Sequence, residues 1–271
     1  MSFFEFAAVG DNCIDRFMPP INLSLIGGNA VNVAVQLRRL GLETAYFGAI
    51  GPDEDGHRML ACFKDNCLCI DHVQVRPGVT AYTNIDVDST GERTLAFEEF
   101  GVCRGYHPNE YDLQALKKMR HVHIGWLDDE GALRRRLTAA GISVSQDISV
   151  NADAQHLGID GLDCVFASAG EDRDGAEHLL RTLLAGGAKL AVVTCGSRGS
   201  MASDGTQVRT VGIRPVDVVD TTGAGDSFIA GFISAHARGA DLQTCLELGR
   251  DTAAETCRHV GGFPQPVLPL R

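Results

Sequence analysis

The segment Asp220-Thr221-Thr222-Gly223-Ala224-Gly225-Asp226-Ser227-Phe228 holds residue types that could do chemistry. A short β-branched run, Val218-Val219, leads into a Gly-x-Gly turn. A helix follows, because Phe228, Ile229, Phe232 and Ile233 recur on one face. Glycines at a helix start let a ligand come close to the backbone. The first helical N–H groups are free to bind an anion, and the helix dipole adds to the attraction. Asp226 stands beside that anion site. As a plain binding group it would repel a phosphate. It makes sense as a general base, taking the proton from a substrate hydroxyl as that hydroxyl attacks phosphorus. The amides of Ala224, Gly225 and Asp226 would then stabilise the transferred group. Taken alone, Gly-x-Gly-Asp fits a tight turn with an N-cap aspartate equally well.

Other strings narrow the choice. Gly10-Asp11-Asn12-Cys13-Ile14-Asp15 ends the first apolar run, and Leu25-Ile26-Gly27-Gly28-Asn29-Ala30-Val31-Asn32-Val33-Ala34 opens a helix. Thr194-Cys195-Gly196-Ser197-Arg198-Gly199 follows another apolar strand. Together with Asp220 to Phe228, these strings resemble the signatures of the ribokinase (PfkB) family of carbohydrate kinases over essentially the whole length. The resemblance implies an α/β fold, a ribokinase-like three-layer αβα sandwich with a mostly parallel central sheet and a small β lid. One kinase domain would span residues 1–271, with lid segments near 12–25 and 79–103. The activity implied is ATP-dependent phosphorylation of a small sugar-like substrate, with Asp226 as catalytic base and Gly223, Ala224 and Gly225 forming the anion hole. Asp15, Gly28, Asn29 and Asn32 would hold substrate hydroxyls, a task suited to carboxylates and carboxamides. Ser168, Thr194, Gly196, Gly199 and Thr221 would meet the nucleotide. Glu171 would bear on Mg2+ through water, and Asp220 and Thr222 would border a monovalent cation such as K+.

The match departs from the family in one place. The usual Asn-x-x-Glu is here Ser168-Ala169-Gly170-Glu171, and a serine hydroxyl has a shorter reach. No Gly-x-x-x-x-Gly-Lys-[Ser/Thr] occurs, which excludes a Walker-type kinase. The anion-hole string holds no Lys or Arg, so magnesium and amides must neutralise phosphate, with Arg198 or Arg104 as side-chain candidates. Within the family, the strings are most similar to the bacterial fructoselysine 6-kinase branch. Its substrate is an Amadori sugar with a cationic tail, which Asp11, Glu98 or Glu99 could receive. A nucleoside or simple-sugar kinase is the nearer alternative, and a catalytically weak sugar or nucleotide sensor is the alternative of another class.

The elements that must position these residues follow from period and punctuation. The 271 residues carry 24 Lys+Arg against 35 Asp+Glu, a net charge of −11 that argues against a nucleic-acid partner. No apolar run approaches bilayer length, so no membrane partner is expected. The nine cysteines lack zinc or disulfide spacing and read as free thiols of a reducing cytoplasm. Strands are expected at Phe3–Val9, Ala45–Ile50, His121–Trp126, Ser143–Ile148, Cys164–Ala167, Leu190–Thr194 and Gln207–Ile213. Helices are expected at Asn29–Leu40, Glu54–Lys64, Tyr111–Met119, Ala132–Ala139, Asp172–Ala185, Ala224–Ala237 and Leu242–His259. Gly41, Gly141, Gly186 and Gly239 suit left-handed helix ends. Val79–Phe100 reads as a hairpin turning at Asp88-Ser89-Thr90-Gly91, whose apolar face would suit a homodimer contact. His121 and His123 read as core histidines, Arg134-Arg135-Arg136 as a solvated helix face, and the tail from Gly262 as irregular and frayed.

Overall fold

A computed structural model describes residues 4–87 and 93–270. In chain order the elements are β1 (Phe6–Val9), β2 (Cys13–Phe17), β3 (Leu23–Gly27), α1 (Asn29–Arg39), β4 (Thr44–Ile50), α2 (Glu54–Asp65), β5 (Val73–Val75), β6 (Tyr82–Val87) and β7 (Arg93–Glu99). There follow α3 (Glu110–Leu116), β8 (His121–Ile124), α4 (Ala132–Ala139), β9 (Ser143–Asp147), β10 (Cys164–Ser168), α5 (Arg173–Ala185), β11 (Ala191–Thr194), β12 (Ser200–Ser203), β13 (Val208–Val211), α6 (Ala224–Ala237), α7 (Leu242–Thr256) and β14 (Leu268–Pro269).

The large sheet runs β13-β12-β11-β10-β9-β8-β1-β4-β5. It is parallel from β5 to β11, and β12 and β13 close one edge antiparallel. Both faces are covered, which is why its strands read as continuous apolar runs. On β1, Phe6 and Ala8 enter the core beneath α1, α6 and α7, whereas Ala7 and Val9 enter the core beneath α3, α4 and α5. A second sheet runs β14-β3-β2-β6-β7. The ribokinase-like architecture is therefore as expected, with the second sheet built from the segments expected to form a lid. The turn at 88–91 lies outside the described residues.

Several local expectations need correction. The tail is not frayed. Phe263 is fully buried, Gln265 brackets Ile26 through both its backbone N–H and C=O, and Leu268–Pro269 pairs with β3. Its three prolines hid this, because proline cannot donate to a ladder and reads as a strand breaker. β12 was not anticipated, since Ser-Met-Ala-Ser carries no β-branched residue. At the end of α5 the left-handed residue is Gly187 (φ 103), not Gly186 (φ −76). Arg134 is buried and bonds the carbonyl and carboxylate of Asp160, so only Arg135 and Arg136 are solvated.

His121 and His123 are core histidines. Serine hydroxyls of Ser143 and Ser145 meet their ring nitrogens at 2.8 to 2.9 Å. Burial holds His121 down to about 4 and His123 down to about 3, so both rings are neutral. The nine cysteines are free thiols. Among the described residues no helix is long and apolar enough to cross a membrane.

Candidate active site

The site lies at the carboxyl ends of the parallel strands, where α/β sheets bind ligands. β1 ends at Gly10-Asp11, and α1 begins at Asn29 after Gly28 (φ 104). A Cβ on Gly28 would stand 2.5 Å from the Cα of Asn12, so glycine is required for the two segments to meet. The opening of α1 has no side-chain cap of its own. Asp11 supplies it, accepting the N–H groups of Asn29 at 2.8 Å and Ala30 at 3.2 Å. The same carboxylate accepts the Trp126 N–H at 3.2 Å.

Gly223 (φ 73) is the N-cap of α6, which makes Asp226 the third helical residue. Its carboxylate does not cap the helix. Asn29 Nδ2 donates to Asp226 Oδ1 at 2.6 Å, and Asn32 Nδ2 donates to Oδ2 at 2.7 Å. The Ala224 N–H is already donated to the Thr221 carbonyl at 3.1 Å. The amides of Gly225 and Asp226 follow it, in a first turn that has no intrahelical acceptors. A Cβ on Gly225 would meet nothing within 4 Å, which leaves that backbone open to a ligand.

Sequence reading missed three partners of this cluster. Asp147, at the end of β9, accepts Asn29 Nδ2 at 2.8 Å, so one carboxamide bridges two aspartates. Gln36 donates to the Gly262 carbonyl at 2.7 Å, and Gly262 packs against Gly223 and Asn32. Asn29, Asn32 and Gln36 recur at i, i+3 and i+7 within a helix that is otherwise apolar up to Leu37. That polar stripe was a legible signal for Gln36. No comparable signal marked Asp147.

Burial first, and then the charges of Asp147 and Asp11, hold the Asp226 carboxyl up at about 8 against the pull of the Asn32 and Asn29 amides. Asp11 and Asp147 are also raised by burial. A carboxylate near 8 is a far stronger base than an ordinary aspartate and still ionises close to neutral pH. If Asp226 is the base, kcat/KM rises with pH and levels off above about 8. Below that the loss approaches ~10-fold per pH unit. Asp147→Asn removes one of the raising charges, so the limb moves to lower pH. A profile flat from pH 6 to 9, or an unmoved limb in the variant, would contradict this assignment.

A second group lies on the neighbouring strand ends. Ser168 and Thr194 are register partners on β10 and β11. Glu171 accepts the Ser197 N–H at 2.9 Å and the Ser197 hydroxyl at 2.7 Å, clamping the Gly196–Gly199 turn. Those bonds hold its carboxyl below the usual range. Asp220 is buried and links the two halves, accepting Thr222 N–H at 2.7 Å and Gly261 N–H at 2.8 Å. Among the described residues no group of three His, Cys, Asp or Glu could hold a metal by itself. A divalent cation would thus be held largely by the nucleotide's phosphates, as is usual for Mg2+.

Asp15 stands on β2 with its carboxylate against Gly27 of β3. Between the sheets a small cavity of about 50 Å³ is lined by Asp11, Asn12, Cys13, Ala81, Thr83, Glu98, Glu99 and Phe100. The acids suspected from sequence therefore share one enclosure. Arg104 lies over the ring of Phe100, which lines that cavity, at 5.2 Å, while Arg198 ends the turn that begins at Gly196.

The pfkB family carbohydrate kinase profile matches residues 24–140 and 146–266. The chain is 34% identical over 261 residues to fructoselysine 6-kinase of Escherichia coli (strain K12), covering 95% of this chain and 98% of that one. It is 30% identical over 267 residues to fructosamine kinase FrlD of Bacillus subtilis (strain 168), covering 94% and 92%. Among solved structures, Arabidopsis thaliana ribokinase complexed with ribose and ATP shares the fold, with TM-score 0.86 at 21% identity over 97% of this chain and 96% of that one. Matched along most of its length, the chain belongs to the pfkB family and is an ATP-dependent carbohydrate kinase.

Proposed function

We propose that the enzyme phosphorylates a hydroxyl of fructoselysine or a related Amadori sugar, with ATP as donor and Asp226 as general base. The observation that carries the substrate class is the cavity lined by Asp11, Glu98 and Glu99. An ammonium group on the substrate tail would be drawn to those acids, and Arg104, over the ring of the lining residue Phe100, would be a partner for a tail carboxylate. The similarity to fructoselysine and fructosamine kinases supports the same reading.

Asn29 and Asn32 hold the Asp226 carboxylate toward the acceptor hydroxyl. Asp226 takes the hydroxyl proton as the oxygen bonds to the γ-phosphorus, and the bond to the ADP oxygen breaks. The amides of Gly225 and Asp226 steady the charge on the moving phosphoryl group. Ser168, Thr194, Gly196, Gly199 and Thr221 would contact the nucleotide. Bound magnesium would neutralise phosphate charge, with Glu171 reaching it through water, and Asp220 and Thr222 would border a monovalent cation. The second sheet would act as a lid. Its outer strand β7 exposes Leu95 and Phe97, which suits pairing with a second copy, and sedimentation tests this.

An ADP-release screen tests the substrate. Turnover of fructoselysine should exceed that of ribose, fructose and adenosine by ~10-fold or more in kcat/KM. Glu98→Gln with Glu99→Gln should raise KM for fructoselysine ~10-fold, the worth of a charge-assisted hydrogen bond, and leave fructose nearly unchanged. Equal turnover of all four compounds would sink the proposal. Preference for adenosine would favour a nucleoside kinase.

A further inference from the structure

A second cavity lies away from the site above. It has a volume of about 420 Å³ and lies at the opposite pole, where β8, β9 and β10 begin and α6 ends. That size is within the range of small-molecule pockets. α6 has 14 residues, so its last turn is roughly 15 Å from the turn that carries Asp226.

The chemistry of the walls divides cleanly. The floor is apolar, made by Phe232, Ile233 and Cys164, each at most 3% exposed. Arg120, His236 and Arg238 form an exposed rim. Between them His121 and Ser143 present a hydrogen-bonded pair of polar groups. Among the described residues no carboxylate lines the cavity, although the protein as a whole is acidic.

The end of a helix ordinarily repels anions, because its last carbonyls point outward. Here those carbonyls are already covered. Arg120 donates to the Ala237 carbonyl and Arg238 to the Ser234 carbonyl at 3.0 Å, and Arg238 also reaches the Leu40 carbonyl at the end of α1 at 2.9 Å. Each guanidinium has five N–H donors, so donors remain for a ligand. Two acids stand close to the cavity: Asp163, which bonds the Ser143 hydroxyl behind the wall and is itself paired with Lys189 at 2.7 Å, and Glu5, whose carboxylate is 4.0 Å from Arg120 in an exposed pair worth little.

We propose that this cavity binds a small organic anion, an apolar body carrying one phosphate or carboxylate group. The apolar body rests on Phe232 and Ile233, and the anionic group is held by Arg120 and Arg238 with His236 at the rim. The site is separate from the kinase chemistry and does not depend on the identity of the sugar.

Titration calorimetry with phenyl phosphate, benzoate and phenol tests the proposal. The full-length enzyme is first saturated with a non-hydrolysable ATP analogue, which fills the anion site at the head of α6. Phenyl phosphate or benzoate should bind, and phenol should bind at least ~10-fold more weakly, the worth of a charge-assisted hydrogen bond. The phosphate and carboxylate arms identify which anionic group is preferred. Arg120→Ala with Arg238→Ala should weaken binding ~10-fold or more. Because these arginines hold backbone carbonyls, His236→Ala and Arg238→Lys are measured alongside. The exposed His236 ring makes no hydrogen bond to a described residue and only stacks on Phe232 at 6.2 Å, so His236→Ala should melt close to wild type, Arg238→Lys keeps the charge at the rim, and each should weaken binding ~3-fold or more. No binding of either anion up to about 10 mM would overturn the proposal. So would wild-type affinity in the arginine variants or in His236→Ala.

Discussion

Asp226→Asn is expected to lower kcat by ~10²- to 10⁴-fold and at the same time to raise thermal stability. The first effect follows from losing the base, because a carboxamide cannot accept the hydroxyl proton. The second follows from linkage. Folding lifts the Asp226 carboxyl from the ordinary carboxylate range to about 8, chiefly through burial. A raised carboxyl means that the folded state holds a proton which the unfolded state has released between about pH 4 and pH 8. Stability is therefore lost as pH rises through that window, and a neutral side chain removes the loss. Asp226 is half-buried rather than sealed from water, so the gain is set well below the full linkage value, at ~1 kcal/mol or ~2–4 °C in melting temperature at pH 8. It should shrink toward pH 5. Geometry does not oppose the change, because Asn32 Oδ1 has no partner and a turned amide could accept from the new asparagine. Wild-type turnover in the variant would remove Asp226 from the mechanism. A variant that binds ATP but is ~10²-fold slower, beside an active wild type, excludes the sensor reading. Absence of ADP release from the wild type with every sugar would favour it.

Gly223→Ala should reduce kcat by ~10²-fold and destabilise the fold, and Gly225→Ala should do neither in the same way. Gly223 has φ 73, and a Cβ there would stand 2.4 Å from the Cα of Gly262. The strained backbone costs about 1 kcal/mol or more before any clash is counted. Gly262 cannot withdraw easily, since Gln36 holds its carbonyl at 2.7 Å and Asp220 holds the Gly261 N–H at 2.8 Å. The start of α6 must move instead, and it carries the Gly225 amide and Asp226, the groups proposed to act on the phosphoryl group. A displacement of ~1 Å is enough for a loss of this size. Gly225 is helical and a Cβ there would meet open space, so Gly225→Ala should be neutral or stabilising by up to ~1 kcal/mol. Any activity that it loses reports ligand contact with that backbone, seen as a raised KM for ATP. Melting curves with single-turnover rates separate the cases. A Gly223→Ala enzyme with normal kcat would show that the tight approach to Gly262 is dispensable.

The strings that pointed to phosphoryl transfer are all local in sequence. Gly223 to Asp226 specify a turn and a helix start, and Gly27 to Asn32 specify another. Strand and helix periods gave the layered α/β class, because a strand buried on both faces and a helix buried on one leave different patterns. Misreadings fell where the pattern is weak. The Pro-containing tail proved to be pinned by Phe263, Gln265 and β14, and the Ser-Met-Ala-Ser strand β12 carries no β-branched signal.

By itself, then, the sequence pointed to the family, to a helix start suited to an anion and to a candidate base. Only the tertiary structure decided how that base is tuned. Asp147 and Asp226 are linked through Asn29, although Asn29 is 118 residues from the first and 197 from the second. Asp11, which read as a substrate contact, proved also to cap α1 from another segment. Turns and amphipathic periods are written in neighbouring residues. Desolvation and charge at a carboxylate depend on whichever distant groups the packed layers bring against it, and that is information the local pattern does not carry.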